Sequence, residues 1–141
     1  MLETLASFAK CSITKQVYHE ILKGKEKLYE DAFDIERIVG KGRLAISEAK
    51  VEEVEGLGIG ECSVLSMFQK TKGDAIISDD RKFLSILESR NIPFVIQTDI
   101  IVMLAIKKCV SKSEAMKALD RIRQLVREES YDAAKRSIGG R

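Results

Sequence analysis

Four carboxylate residues, Glu20, Glu61, Asp79 and Asp80, are placed where they could hold a divalent cation. Asp79 and Asp80 follow a short apolar segment, and Glu61 opens a helical pattern on the side of its apolar positions. A carboxylate on the inward face of a helix is unfavourable without a counter-charge. Mg²⁺ or Mn²⁺ would supply that charge, because both prefer oxygen ligands and keep several waters. The chemistry indicated is metal-assisted attack on a phosphoryl group.

Each of these carboxylates also has a purely structural interpretation. An acid such as Glu61 at the start of a helix is favoured by the helix dipole. Asp79 and Asp80 fit a helix N-cap, and Glu20 beside His19 fits an exposed helix residue. His19 is the only histidine and has no catalytic partner in the sequence. Only the combination of the carboxylates favours a site.

A parallel sheet would bring the later carboxylates together. In the second half of the chain the apolar pattern predicts helix, strand, helix, strand and two helices, an order typical of a parallel α/β sheet with helices on both faces. One strand is predicted over residues 74–78, directly before Asp79, and the next over residues 93–97, before a helix capped by Asp99. Ligands of such sheets gather at the C-terminal strand ends.

The first half of the chain and its last helix complete the expected elements. Thr14 is expected to cap the helix that carries Glu20, and Ser113 to open the late amphipathic helix. The remaining predicted elements are a helix over residues 1–10, a strand over 11–14, helices over 15–23 and 26–39, and a strand over 44–46.

Length and composition indicate one domain over residues 1–136, followed by a flexible tail over 137–141. The 141 residues are 45% hydrophobic and 33% charged, which excludes a disordered chain. The net charge of +2 is too small to indicate a nucleic-acid partner by itself.

The cysteines and the apolar segments indicate a cytoplasmic location. Cys11, Cys62 and Cys109 are odd in number and lack metal-type spacing, so reduced thiols are expected. No basic segment followed by an apolar run opens the chain, and the longest apolar run, residues 100–106, is too short to cross a bilayer. No membrane partner is therefore expected.

Three segments together resemble the PIN-domain family. They are residues 13–21, residues 60–65 (Gly-Glu-Cys-Ser-Val-Leu) and residues 74–83 (Asp-Ala-Ile-Ile-Ser-Asp-Asp-Arg-Lys-Phe). Ser78-Asp79-Asp80 matches the Thr/Ser-x-Asp pattern of the family. The resemblance covers roughly the first three quarters of the chain. It is closest to the branch with Gly-Glu and Asp-Asp signatures, related to the toxin nucleases of toxin–antitoxin pairs.

The resemblance implies a PIN-like three-layer sandwich, with a mostly parallel central sheet, and a Mg²⁺- or Mn²⁺-dependent endoribonuclease. RNA is the implied partner, and an antitoxin, another protein or a second copy of the chain is compatible with it. Ser78 would hydrogen-bond a carboxylate or a metal-bound water, and Thr98 at a strand end would do likewise. Carried over by position, the catalytic acids are Glu20, Glu61 and Asp80, and the metal ligands are these three with Asp79.

One family feature is not matched. The family opens with an apolar strand that ends in Asp, and residues 1–10 resemble a helix instead. The chain is therefore expected to be N-terminally incomplete or to have lost this ligand. The alternative function is a degenerate PIN domain that binds RNA or a partner protein without cleavage.

Basic residues on the late helix bear on that alternative. The set comprises Lys112, Lys117, Arg121, Arg123 and Arg127, and it suits phosphate contacts. Interleaved acidic residues also fit a solvated helix surface. A phosphoacceptor or small-molecule α/β domain is a third class, but it would place a lysine after a later strand, and Lys107 and Lys108 lie on a predicted helix.

Overall fold

The computed structural model describes residues 2–26 and 30–140, with the side chains of residues 2–24 and 34–140. Short parallel strands alternate with helices, as the sequence pattern predicts. The elements in chain order are α1 (Leu2–Phe8), β1 (Ser12–Thr14), α2 (Lys15–Glu26), α3 (Glu30–Gly40), β2 (Ala45–Ser47), α4 (Ile59–Thr71), β3 (Ile76–Ile77), α5 (Arg81–Ser89), β4 (Phe94–Val95), α6 (Gln97–Ile106), α7 (Lys112–Ile122), a 3₁₀ turn (Arg123–Leu125) and α8 (Glu128–Gly139).

The strands form two parallel pairs. β1 pairs with β2, where Ile13 lies opposite Ile46, and β3 pairs with β4, where Ile77 lies opposite Val95. Each pair is joined through helices, as parallel strands require a crossover connection. Within the described residues the two pairs are separate two-stranded sheets and do not form one continuous sheet. The α/β class is therefore confirmed, with a sheet much smaller than the sequence suggests.

Three apolar clusters hold the elements together. α4, β3 and α5 pack through one of them, and α6, α7 and α8 pack through another. α6 also contacts α1 through the third, so this helix links both ends of the chain. The buried members are Leu65, Ile76, Phe83 and Leu87 in the first cluster, Ile101, Ala115, Leu119, Tyr131, Ala134 and Ile138 in the second, and Leu5, Ile100 and Leu104 in the third.

Glu3 attaches α1 to the end of α3. Its carboxylate lies 3.2 Å from Arg37, 3.5 Å from Lys41 and 3.6 Å from Arg43. The hydrogen bond and the charge of Arg37 hold the pKa of Glu3 below its usual value. The only acid in residues 1–10 thus joins two helices.

The start of α6 differs from the sequence prediction. The strand predicted over residues 93–97 ends at Val95, and Ile96 is the N-cap of α6. Thr98 is therefore buried in the first helical turn and does not lie at a strand end, and Asp99 lies within the helix instead of capping it. The helix begins earlier than predicted, since the N–H of Asp99 donates a hydrogen bond to the carbonyl of Ile96 at 3.1 Å.

The C-terminal part is more helical than the sequence suggests. Ser111, not Ser113, caps α7, and it forms a capping box with Glu114 at 3.1 and 2.7 Å. The helix α8 is not among the elements predicted from the sequence. Residues 137–139, which the sequence assigns to a flexible tail, lie in that helix; Arg141 lies outside the described residues. Ile138, 2% exposed, explains this extension because it joins the apolar cluster of α6 and α7.

Candidate functional site

A buried chain of hydroxyl groups joins the end of β1 to the start of α4. The Oγ of Thr14 accepts from the N–H of Val17 at 3.1 Å, which confirms the expected cap of α2. The same atom lies 2.6 Å from the Oγ of Ser63, which in turn donates to the carbonyl of Gly60 at 2.6 Å. Because the proton of Ser63 goes to Gly60, Thr14 is the donor to Ser63. α2 and α4, which carry Glu20 and Glu61, are held together at this point.

Glu20 lies against the first turn of α4. A Cβ atom added to Gly60 would lie 2.7 and 2.8 Å from the two carboxylate oxygens of Glu20. A side chain at position 60 would therefore force the carboxylate of Glu20 to move away from the start of α4. Glu61 follows directly, and its carboxylate accepts from the N–H of Gly58 at 3.2 Å. The structure therefore brings Glu20 and Glu61, here called the α4 pair, to the same positively polarised helix terminus.

Asp79 and Asp80, here called the β3 pair, lie just after β3 and serve the starts of two helices. Asp80 is the N-cap of α5, accepting from the N–H of Phe83 at 3.0 Å. Asp79 reaches across to α6 and accepts from the N–H of Gln97 at 3.3 Å. The hydroxyl of Ser78 accepts from the backbone N–H of Asp80 at 3.2 Å, so it orders the turn between β3 and α5.

Burial perturbs the carboxyl group of Asp79. Removal from solvent is the main cause that raises its pKa above the ordinary 3.8, and the charge of nearby Asp99 adds to the effect. The hydrogen bond from Gln97 acts in the opposite direction and offsets it in part. An ionised Asp79 is therefore less favourable here than in water, and a cation beside it would relieve that disadvantage.

Replacing Asp79 with asparagine should raise stability at neutral pH. The unfolded carboxyl titrates near 3.8, and the folded one at a higher pH, so folded Asp79 keeps its proton longer. Its contribution to stability is present below 3.8 and is lost as the pH rises through the folded value. Asparagine carries no charge, so it avoids the free-energy cost of ionising a partly buried carboxyl group. Its side-chain oxygen can still accept a hydrogen bond from the N–H of Gln97. Urea unfolding at acidic and neutral pH measures the difference, and a variant less stable than the wild type at neutral pH would contradict it.

The four predicted acids stand as two pairs. Within the described residues, no group of three or more histidine, cysteine or acidic side chains is placed to hold a metal ion. Three of the acids, Glu61, Asp79 and Asp80, already accept from a backbone N–H. The oxygen donors suit Mg²⁺ or Mn²⁺ in kind, but in this arrangement they do not fit as one closed ligand set.

Sequence reasoning missed Ser63 as the residue that joins the two helices. Its spacing of three from Gly60 places both on one side of α4, and that signal is available in the sequence. The partner Thr14 lies 49 positions away, and this pairing depends on the fold.

The predicted basic face of the late helix is divided in the structure. α7 ends at Ile122, so Arg123 and Arg127 lie beyond it. The guanidinium of Arg123 stacks on the ring of Tyr131 at 4.8 Å, while Arg127 precedes α8. Lys112 lies at the opposite end of α7. A single basic stripe is therefore not formed.

Comparison with known proteins gives one match, to a family model. A family model described as a PIN domain matches residues 1–139 of the chain. No curated protein and no solved structure matches the chain. Among the described residues, no helix has the length and apolar character needed to span a membrane.

Proposed function

Since this chain belongs to the PIN-domain family, we propose that it is a Mg²⁺- or Mn²⁺-dependent endoribonuclease. Membership indicates a nuclease-type function in general, and domains of this family generally bind RNA and use divalent metals. The observation that carries the proposal is the placement of Glu20, Glu61, Asp79 and Asp80. Asp79 and Asp80 follow the carboxyl end of β3, where a parallel α/β fold collects its ligands. Glu20, on α2, lies against the start of α4, which carries Glu61.

The four carboxylates have distinct parts in this proposal. Glu20, Glu61 and Asp80 are the catalytic acids and candidate metal ligands, and Asp79 is an additional ligand. A bound Mg²⁺ or Mn²⁺ ion would supply charge neutralisation and a more acidic water. Because the α4 pair and the β3 pair remain separate, we assign no coordination geometry to them. Ser78 positions Asp80 through its backbone, and Thr98 is a further candidate that lies buried in α6.

The same proposal includes the finer features of the family. They are a three-layer sandwich with a mostly parallel central region, to which the β1–β2 and β3–β4 pairs would both contribute, a cytoplasmic location and RNA as the substrate. The free thiols of Cys11, Cys62 and Cys109 support a reducing compartment. A protein partner such as an antitoxin, and a second copy of the chain, are further proposals.

Asp80→Asn tests the cleavage activity without removing a helix cap. Asparagine caps a helix as well as aspartate does, so α5 should keep its start while the site loses a negative charge. With single-stranded RNA and Mn²⁺ we expect cleavage to fall about a hundredfold, since metal charge stabilisation amounts to several kcal/mol.

Asp74→Asn is the matched control, because Asp74 is exposed in the turn before β3 and should be dispensable. Equal cleavage by the wild type and Asp80→Asn, or no cleavage by the wild type with either metal, would refute the catalytic assignment.

Mn²⁺ should also raise the melting temperature of the wild type more than that of Asp79→Asn, which reports metal binding independently of activity.

A degenerate PIN domain that binds RNA or a partner protein without cleavage is the second candidate. It is favoured by one observation, that the described residues contain no group of three acids placed for a metal. In that case RNA should bind with an affinity that falls steeply with salt, while the RNA stays intact. An affinity unchanged between low and moderate salt would contradict phosphate recognition.

A further inference from the structure

A cleft opens beside Asp79, which is one of the residues that line it. It has a volume of about 330 Å³ and lies between α5, β4 and the segment that connects α7 to α8. Phe94 and Leu84 contribute apolar surface, Leu125 lies at its edge, and Arg81 and Arg127 bring positive charge. Its volume is at the lower end of the range for small-ligand pockets, which suits a group the size of one nucleotide.

The apolar residues of this cleft are unusually accessible. Phe94 is 36% exposed although it lies in a strand, and Leu125 is 73% exposed. Both rank among the large hydrophobic side chains that the fold leaves in contact with water. A ring and an aliphatic side chain facing a common opening provide the flat apolar surface on which an unpaired base stacks.

Two arginines, Arg81 and Arg127, line the cleft and could bind an anion. In the part of the chain that the structure describes, Arg81 and Arg127 have no carboxylate within ion-pair distance. Their guanidinium groups are therefore available to phosphate oxygens, which they bind in a planar, bidentate manner. Glu88 also lines the cleft and would repel a phosphate, but its carboxylate can accept from a base amino group.

We propose that this cleft binds one unpaired nucleotide of single-stranded RNA. The base lies against Phe94 and Leu125, and the flanking phosphates contact Arg81 and Arg127. This inference rests on the proposed function, because Asp79 lines the cleft and belongs to the candidate site. The bound nucleotide would place the adjoining phosphodiester next to the β3 pair. A paired base cannot enter, so single-stranded RNA is favoured over duplex RNA.

Binding in the absence of metal tests the cleft separately from cleavage. The probe is a fluorescently labelled single-stranded RNA oligonucleotide of mixed sequence, measured by anisotropy in EDTA so that it stays intact. Phe94→Leu keeps an apolar side chain but removes the ring, and it should raise Kd about tenfold, the loss of one base–aromatic stack. Phe8→Leu, at an exposed phenylalanine on α1, is the matched control and should leave Kd unchanged.

Arg127→Gln provides a second test that does not depend on core packing, because Arg127 is exposed. It should weaken RNA binding, and it should reduce the slope of the logarithm of the binding constant against the logarithm of the salt concentration by about one. Unchanged affinity for Phe94→Leu, or no binding of single-stranded RNA by the wild type, would overturn the cleft assignment. So would equal affinity of the wild type for the same RNA annealed to its complement.

The outcomes also separate this inference from the proposed catalysis. RNA that binds with the expected dependence on Phe94 and is not cleaved with Mn²⁺ supports the cleft and refutes the nuclease. RNA that is cleaved by the wild type, with an affinity and a rate that Phe94→Leu leaves unchanged, supports the nuclease and refutes the cleft.

Discussion

Thr14→Val should destabilise the protein by about 2–6 kcal/mol, since it leaves two polar groups without a partner at about 1–3 kcal/mol each. Valine has the shape of threonine but neither donates nor accepts. The N–H of Val17 would lose its acceptor, and the hydroxyl of Ser63 would lose its donor. Because Thr14 is fully buried, water cannot replace it without opening the contact between α2 and α4.

Urea unfolding of Thr14→Val, Thr14→Ser and Ser63→Ala measures this effect. Serine retains the hydroxyl, so Thr14→Ser should recover most of the loss. The double variant Thr14→Val/Ser63→Ala should be less destabilised than the sum of the single variants, because both remove the same hydrogen bond. Additive losses would show that the two hydroxyls do not interact. The same variants should lower cleavage, because this contact positions Glu20 beside Glu61.

Leu119→Ala should destabilise the protein by about 2–5 kcal/mol, the usual range for truncating a buried leucine. Leu119 is 0% exposed and belongs to the cluster of α6, α7 and α8. Truncation leaves a cavity among three helices whose positions depend on one another. The effect should appear in urea unfolding as a shifted midpoint with an unchanged slope.

Leu125→Ala is the matched control for this cavity. Leu125 is 73% exposed, so its truncation should change stability by less than about 0.5 kcal/mol. A single transition in which helix content and the environment of Tyr131 change together would support one cooperative domain over the chain. Separate transitions, or a Leu119→Ala variant as stable as the wild type, would contradict the packing described for α6 to α8.

The candidate acids combine structural and chemical parts. Glu61 and Asp80 cap the helices on which they stand, and Asp79 caps α6 from another element. The interpretation of these three acids as helix caps is thus supported by their hydrogen bonds. It does not exclude a role in metal binding, because a carboxylate has two oxygens and several lone pairs. This double use makes conservative variants such as Asp80→Asn preferable to alanine in testing function.

The sequence by itself determined the α/β class and the family resemblance, and it indicated the four candidate acids. Those features depend on local patterns, such as the apolar segment before Asp79 and the glycine before Glu61. It also identified Thr14 as a cap, because capping involves residues only three positions apart. The extra helix α8 and the cap at Ser111 were not anticipated, since several polar residues in that region suit either a cap or a helix surface.

Only the tertiary structure decided which of these residues meet. The approach of Glu20 to Gly60 and the bond between Thr14 and Ser63 join residues 40 or more positions apart. Such contacts depend on how α2 packs on α4, and no periodicity in the chain encodes that packing. The tertiary structure likewise divides Glu20, Glu61, Asp79 and Asp80 into the α4 pair and the β3 pair. It also placed a cleft with Phe94 and Arg127 beside Asp79, because the segment after α7 folds back next to β4.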